Sequence, residues 1–326
     1  MEQPRNILVI QTAFIGDAIL ASSLLEKLHA HFAKAQLSIL VRGDNESIYQ
    51  NHPFLKEVLV WNKKSKKIRN LFSLISRIRK NKYDYVVNCH RFASSGMMAA
   101  FSGARHIAGY KENPFSFLFN YTVRHRIGDG THEIERYNQL IEDFTDASVF
   151  HPKLYPSTAD AEEVKKLQSA SYVCMAPASV WFTKQLPVEK WVELCNSVNS
   201  FTRIYLLGAP GDNDLCAQIK ARSEHQDIRV VAGKLSLLQS ARLMQFAAMN
   251  YVNDSAPLHL ASSVNAPVTA FFCSTVPEFG FGPLSDRSKV LQVHGLQCKP
   301  CGLHGYKACP LGHFKCGHEM AVQIVT

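Results

Sequence analysis

Long apolar runs are missing from this 326-residue chain. No stretch approaches the ~20 residues that a membrane-crossing helix needs, which excludes an integral helical membrane protein. Acid is scarce relative to base: 27 Asp and Glu stand against 36 Lys and Arg, for a formal net charge of +9. That balance implies an acidic partner, whether nucleic acid, an anionic membrane surface or a phosphorylated substrate, and does not choose among them. Glycine is short where a dinucleotide site would need it. The opening run "ILVIQTAFIGD" at 7–17 holds a single Gly16, against the two or three of a pyrophosphate-binding turn, which weighs against a dehydrogenase. Short repeats and low-complexity tracts are absent as well. The polar start "MEQPRN" runs straight into a strand, so no signal peptide is expected and the cytoplasm is the expected location.

What is present fits a soluble globular protein: 46% hydrophobic and 19% charged residues, on a chain long enough for two domains. Strand-like and helix-like runs alternate. "NILVI", "QLSILV", "EVLVW" and "YDYVVNC" read as strands, with helices between them, including one near 67–80 and one near 94–102. The rhythm restarts after a proline-bearing link at 150–158. "YVCMAP", "RIYLLG", "IRVVAG", "YVND" and "PVTAFFC" then alternate with helices. A mainly parallel α/β fold in two halves is expected, 1–155 and 156–326.

Three strand-to-helix turns carry candidate chemistry. In "TAFIGDAIL", the free amides at a helix start suit an anion. Asp17 there is either a general base for a substrate hydroxyl or a helix N-cap. In "APASVWFTKQLPVEKW", Ser179, Thr183 and Lys184 precede a helix and form either a phosphate cradle or an ordinary surface loop. In "YVNDSAPLHLASS", Asp254 ends a strand and Ser255, Ala256 and Pro257 open a helix with His259 one turn on. This turn is either a ligand site, or an Asp254 cap with a packed histidine.

Together these segments resemble the lipopolysaccharide heptosyltransferases of glycosyltransferase family 9. "ILVIQTAFIGDAIL" is similar to their opening strand, Gly-Asp turn and helix, and "NDSAPLHLA" to their "NDSGPMHLA". "YDYVVNCH", "GARHIAGY", "HEIERYNQLI" and the tail "CKPCGLHGYKACPLGHFKC" look like further landmarks, nearest to the members that add the second heptose. The resemblance implies a GT-B fold: two facing Rossmann-like domains with parallel sheets and a cleft between them. The first would bind the acceptor and the second the nucleotide sugar. It implies inverting transfer of heptose from ADP-heptose to the lipopolysaccharide inner core, with no divalent ion at the reacting centre. By position, Asp17 matches the general base, Lys184 the lysine on the donor diphosphate, with Ser179 near the matching hydroxyl. Asp254 matches the aspartate holding the donor heptose. The amides of Ser255, Ala256 and Pro257 match the phosphate-binding helix start, and Leu235 falls where adenine rests. Ala256 replaces a usual glycine and Asn88 a common aspartate. A closing helix found beyond the cysteines in relatives is expected to be shortened or missing, since the chain ends at Thr326.

Residues 63–82 carry nine Lys and Arg and no acid. Ile68, Leu71, Phe72, Ile75 and Ile78 keep helical spacing there. The segment is either a membrane-surface helix on the anionic inner face or a core-packed helix with a solvated basic side. Aromatics do not interleave with the basic run, apart from Phe72, so no nucleic-acid partner is expected. Gly16, Arg105, Lys111, Arg124 and Arg126 are candidates for acceptor contact. Cys298, Cys301, Cys309 and Cys316 form a C-x2-C-x7-C-x6-C array that is either a structural zinc site or a set of reduced thiols. No cofactor is expected for the chemistry. "GDNDL" at 211–215 holds an Asp-x-Asp pattern, read here as helix capping.

Overall fold

The computed structural model describes residues 3–63 and 67–322. The chain divides into two compact units, Met1–Ile127 with Thr131–Tyr155, and Gly128–Gly130 with Pro156–Thr326.

The first unit runs β1 (Asn6–Gln11), α1 (Ile15–His31), β2 (Gln36–Arg42), β3 (Leu55–Trp61), α2 (Lys67–Lys80), β4 (Tyr85–Asn88), α3 (Ala93–Ala100), β5 (His106–Tyr110), β6 (Tyr121–Val123) and α4 (Glu133–Gln139). Its six strands form one sheet in the order β3-β2-β1-β4-β5-β6, and every pairing is parallel. This is the doubly wound order with its switch point beside β1. The inner strands are mostly apolar because helices cover both faces, with Gln11, Ser38 and Asn88 as buried polar exceptions. Leu8, Ile10, Leu40, Leu59 and Val86 meet Leu74, Ile75 and Ile78 of α2 and Met98 of α3 in one core. Only these three α2 residues are buried; Ile68 and Phe72 of the same apolar series are solvent-exposed. The basic stretch therefore splits: Leu74, Ile75 and Ile78 are in the core with Leu71 packed against it, while Ile68 and Phe72 are outside. Its residues 64–66 lie outside the described residues.

The second unit runs α5 (Thr158–Lys165), β7 (Tyr172–Ala176), α6 (Val188–Ser197), β8 (Arg203–Leu206), α7 (Asn213–Arg222), β9 (Ile228–Val230), α8 (Leu237–Gln245), β10 (Asn250–Asn253), α9 (Ala256–Ser263), β11 (Val268–Phe271), β12 (Ser288–Leu291) and α10 (Lys315–His318). Its sheet, β12-β11-β10-β7-β8-β9, is parallel and repeats the first order with β7 in the place of β1. Trp191 of α6 packs edge-on against Phe271 at 5.4 Å in its core. Phe314, Cys316 and Met320 of the tail belong to that same core. The expectation about a closing helix reaches into 323–326, which lie outside the described residues.

β5, β6, β12 and α4 have no clear counterpart in the hydrophobic pattern. β6 and β12 are edge strands of three and four residues, half-exposed, so they lack the run that marks a buried strand. α4 buries Glu133 and Arg136 as an ion pair with Nε–Oε2 at 2.8 Å, so its inward stripe reads as charged. The Asp-x-Asp pattern caps the turn before α7 rather than α7 itself: the Asp212 carboxylate accepts from the Ala209 amide at 2.7 Å, while Asp212, the N-cap of α7, gives that helix no side-chain cap.

Candidate functional site

The carboxyl edge of the first sheet presents the β1–α1 turn. Phe14 is the N-cap of α1 and gives no side-chain cap, so Asp17 sits at the third helical position and not at the cap. The amides of the first turn have no partner within the helix and point outward with the positive end of its dipole. A buried clamp fixes this turn from behind. The Gln11 side-chain carbonyl accepts from the Ala13 amide at 3.0 Å, and its amide donates to the Tyr137 hydroxyl at 2.7 Å. Tyr137 in turn lies 3.5 Å from the Asp17 carbonyl oxygen. Burial, then the charges of Glu133 and Asp17, push the Tyr137 hydroxyl well above its ordinary pKa, so it stays protonated.

Cations surround the same edge. Lys63 donates to the Thr12 carbonyl at 2.7 Å and lies over the Trp61 ring at 4.6 Å. Burial, then Arg42 and Lys67, bring its ammonium down to about 8. His90, 3.1 Å from the Thr12 hydroxyl, is held down to about 4 by burial, then by Lys63 and Arg91. A neutral imidazole beside several cations makes this edge attractive to anions. Lys63, His90 and Arg91 were not singled out as site residues. The only signal for them is their place just past the ends of β3 and β4.

In the second unit, the ends of β7, β10 and β11 converge. Asn253, fully buried, accepts from the Leu186 amide at 3.0 Å and donates to the Pro177 carbonyl at 2.7 Å, pinning both ends of the loop between them. Gln185 closes the loop on the Ser179 carbonyl at 2.6 Å. The pinned loop aims Lys184 at Asp254, Nζ to Oδ2 at 2.7 Å, and the Thr275 hydroxyl donates to the same oxygen at 2.5 Å. Asp254 is buried, while Lys184 keeps 16% of its side chain exposed. Ser255, not Asp254, is the N-cap of α9. The Ser255 and Ala256 amides are the donors there. Pro257 has no N–H, which removes it as a phosphate-binding amide and leaves it the role of a preset first turn.

The tail wraps this loop. The Thr183 hydroxyl accepts from the Tyr306 amide at 2.7 Å and from the Ser274 hydroxyl at 3.0 Å, and its own amide donates to the Tyr306 carbonyl at 3.1 Å. Thr183 is buried, so its hydroxyl faces the tail and not an open cradle. Gly305 has φ +77°, and a Cβ there would lie 2.9 Å from Thr183 Oγ1, 3.0 Å from Lys184 Cγ and 3.1 Å from Ser274 Oγ. Gly305→Ala is therefore expected to lower stability by about 2 kcal/mol or more, from left-handed strain plus crowding. Gly312, at φ +72° with open space around it, supplies the control. Urea unfolding should show Gly312→Ala paying the strain alone, and equal losses would discount the contact.

The remaining candidates differ in placement. His259 is buried, its ring 6.3 Å from that of Phe281. Leu235 is half-buried just before the capped start of α8. Lys111, Arg124 and Arg126 are exposed past the carboxyl ends of β5 and β6. Arg105 precedes β5, so a strand of five residues, roughly 16 Å, separates it from the edge that carries Asp17. The structure does not bring it to that site. Among the described residues no group of three or more His, Cys, Asp or Glu is arranged to hold a metal ion. All nine cysteines are free thiols. The Cys301 thiol donates to the Cys298 carbonyl at 3.0 Å, and Cys309 accepts from the Phe314 amide at 3.4 Å. Burial pushes Cys316 up to about 11. This arrangement does not support the zinc reading of the array.

Known proteins extend the picture. Residues 71–309 match the model of glycosyltransferase family 9 (heptosyltransferase). Lipopolysaccharide heptosyltransferase 3 of Escherichia coli is 24% identical over 277 residues, covering 80% of this chain and 82% of its own. Lipopolysaccharide heptosyltransferase 2 of Escherichia coli K12 is 23% identical over 318 residues and 88% of each chain. The likeness is thus nearly equal for two types and does not single out the members adding the second heptose. The structure of E. coli ADP-heptose LPS heptosyltransferase II superposes with a TM-score of 0.76 at 21% identity, covering 91% of this chain and 95% of that one. With two doubly wound units and these matches, the fold is GT-B, and the chain belongs to glycosyltransferase family 9, the heptosyltransferases.

Proposed function

We propose that this glycosyltransferase moves heptose from ADP-heptose to the inner core of lipopolysaccharide with inversion at the anomeric carbon. The second unit holds the donor. Lys184 and the Ser255 and Ala256 amides take the diphosphate, and Asp254 takes a heptose hydroxyl through Oδ1, its other oxygen being occupied by Lys184 and Thr275. Leu235 borders the adenine, and Ser179 and His259 lie around the same site. The first unit holds the acceptor, with Asp17 as general base for the attacking hydroxyl. The cationic edge at Lys63 and Arg91, with Lys111, Arg124 and Arg126, attracts the anionic acceptor. As the glycosidic bond to the diphosphate breaks, charge grows on the leaving oxygen. Lys184 and the helix-start amides offset it where other transferases use a divalent ion. The acceptor is membrane-anchored, which places the enzyme at an anionic membrane face, on the cytoplasmic side.

The Lys184–Asp254–Thr275 cluster beside the open start of α9 carries this reading most directly. It joins a cation for phosphate and a buried carboxylate for a sugar hydroxyl at one sheet edge. Incubation with ADP-heptose and defined truncated lipopolysaccharides tests it. Heptose should appear on an inner-core acceptor and ADP in solution. Turnover with another nucleotide sugar, and none with ADP-heptose, would replace the donor assignment.

A further inference from the structure

We infer that one exposed face of the first unit, built by α2, α3 and the turn at Ser116–Leu118, is a docking surface for a bilayer rich in anionic lipid. Five large apolar side chains stand out in water there: Ile68 is 72% exposed, Phe72 60%, Phe101 44%, Phe117 78% and Leu118 45%. Isolated exposed apolar residues are ordinary, but these are linked. On α2, Phe72 and Arg79 lie within ~40° and ~20° of Ile68 around the helix axis, so all three share one stripe. The Arg79 guanidinium reaches the carbonyl of Phe101, at the end of α3, at 3.4 Å. Phe101 meets Phe115 edge-on at 6.2 Å, and Phe117 and Leu118 follow in the next turn. The strip therefore continues from one helix to the next and on to the turn.

Charge decides what covers it. Lys67, Arg69, Arg79 and Lys80 are exposed on α2, and 63–82 holds no acid. The neighbouring acids are engaged. Glu57 takes Arg77 and Asn81, Asp84 takes the amides of Arg5 and Asn6, and Glu112 takes the amide of His125. A second copy of this chain would set cations against cations. A lipid surface accepts apolar side chains into its interface and offers phosphates to the rim, a match on both counts. The inference deepens the membrane-bound-acceptor reading above. Vesicle binding is read without turnover, however, so either can fail alone.

Co-sedimentation with phosphatidylcholine vesicles, with and without phosphatidylglycerol, tests it. The protein should bind the anionic vesicles, and Ile68→Ser with Phe72→Ser should weaken that binding about tenfold or more. Both side chains are exposed, so urea unfolding should not move. Phe72→Trp should show a blue-shifted emission on addition of anionic vesicles, reporting entry of that position into the interface. Unchanged vesicle binding by the double variant would overturn the inference, as would no blue shift. So would a double variant that only abolishes self-association.

Discussion

Asp17→Asn is expected to reduce the rate of heptose transfer by about 10²–10⁴, the range for loss of a positioned general base, while ADP binding stays intact. The side chain is half-buried at the third position of α1 and the N-cap is Phe14. Amidation therefore removes no cap. It removes a negative charge from the first turn of a helix, which costs about 0.3–1 kcal/mol through the dipole. That loss is too small to unfold a domain whose turn is clamped by Gln11, Tyr137 and Ala13. The donor residues lie in the other unit, so affinity for ADP reports on them separately. The measurement is kcat with ADP-heptose and a truncated acceptor, beside Tm and ADP affinity. Wild-type turnover by Asp17→Asn would remove the carboxylate from the mechanism and return it to a dipole role. Lost turnover with a collapsed Tm would implicate folding in its place.

The candidate residues of each unit could be read before the structure, and the reason is local. β1, β7 and β10 are almost entirely buried, β1 and β7 reading as apolar runs and β10 as Tyr251-Val252 between two buried asparagines, and each stops at a turn whose residues sit next to it in sequence. Asp17, Lys184 and Asp254 stand out as candidates that way. Contacts made over long separations left no such mark. Thr275 reaches Asp254 across 21 residues and Ser274 reaches Thr183 across 91. Tyr306 reaches Thr183 across 123, and Gln11 reaches Tyr137 across 126. The tail shows the consequence. Its cysteines draw the eye to a metal, whereas Gly305, Tyr306, Phe314 and Cys316 build the wall of the donor loop and part of the core. Arg105 could not be placed for a similar reason: its charge is plain in the sequence, but which end of β5 it occupies is known only once strand direction is known. α2 shows the limit of periodicity. The series Ile68, Leu71, Phe72, Ile75 and Ile78 has one helical spacing, yet Ile68 and Phe72 face solvent while Leu71, Ile75 and Ile78 pack on the core.

The Lys184–Asp254 pair should respond to mutation in two separable ways. Among the described residues, Lys184→Ala leaves the buried carboxylate with the Thr275 hydroxyl as its remaining direct partner and the charge of Lys299 nearby. Removing one member of a buried pair costs about 3–5 kcal/mol. Because 16% of the Lys184 side chain remains exposed, water can reach the site, and a loss of about 2–3 kcal/mol is the better expectation. The same variant removes the cation proposed for the diphosphate, and ADP affinity should fall by about 30-fold or more. Lys184→Ala combined with Asp254→Asn tells the two effects apart. Neutralising the orphaned acid should restore most of the lost stability, because the desolvated charge is gone. It should restore none of the ADP affinity, because no cation has returned. Urea unfolding and calorimetric titration with ADP on the wild type, both single variants and the double variant complete the cycle. If the double variant stays as unstable as Lys184→Ala, the ion pair is not what holds this loop. If Lys184→Ala binds ADP like the wild type, the diphosphate lies elsewhere. Stability regained without nucleotide regained would give the pair both roles: in the free enzyme it offsets a buried charge, and with donor bound its cation is shared with phosphate.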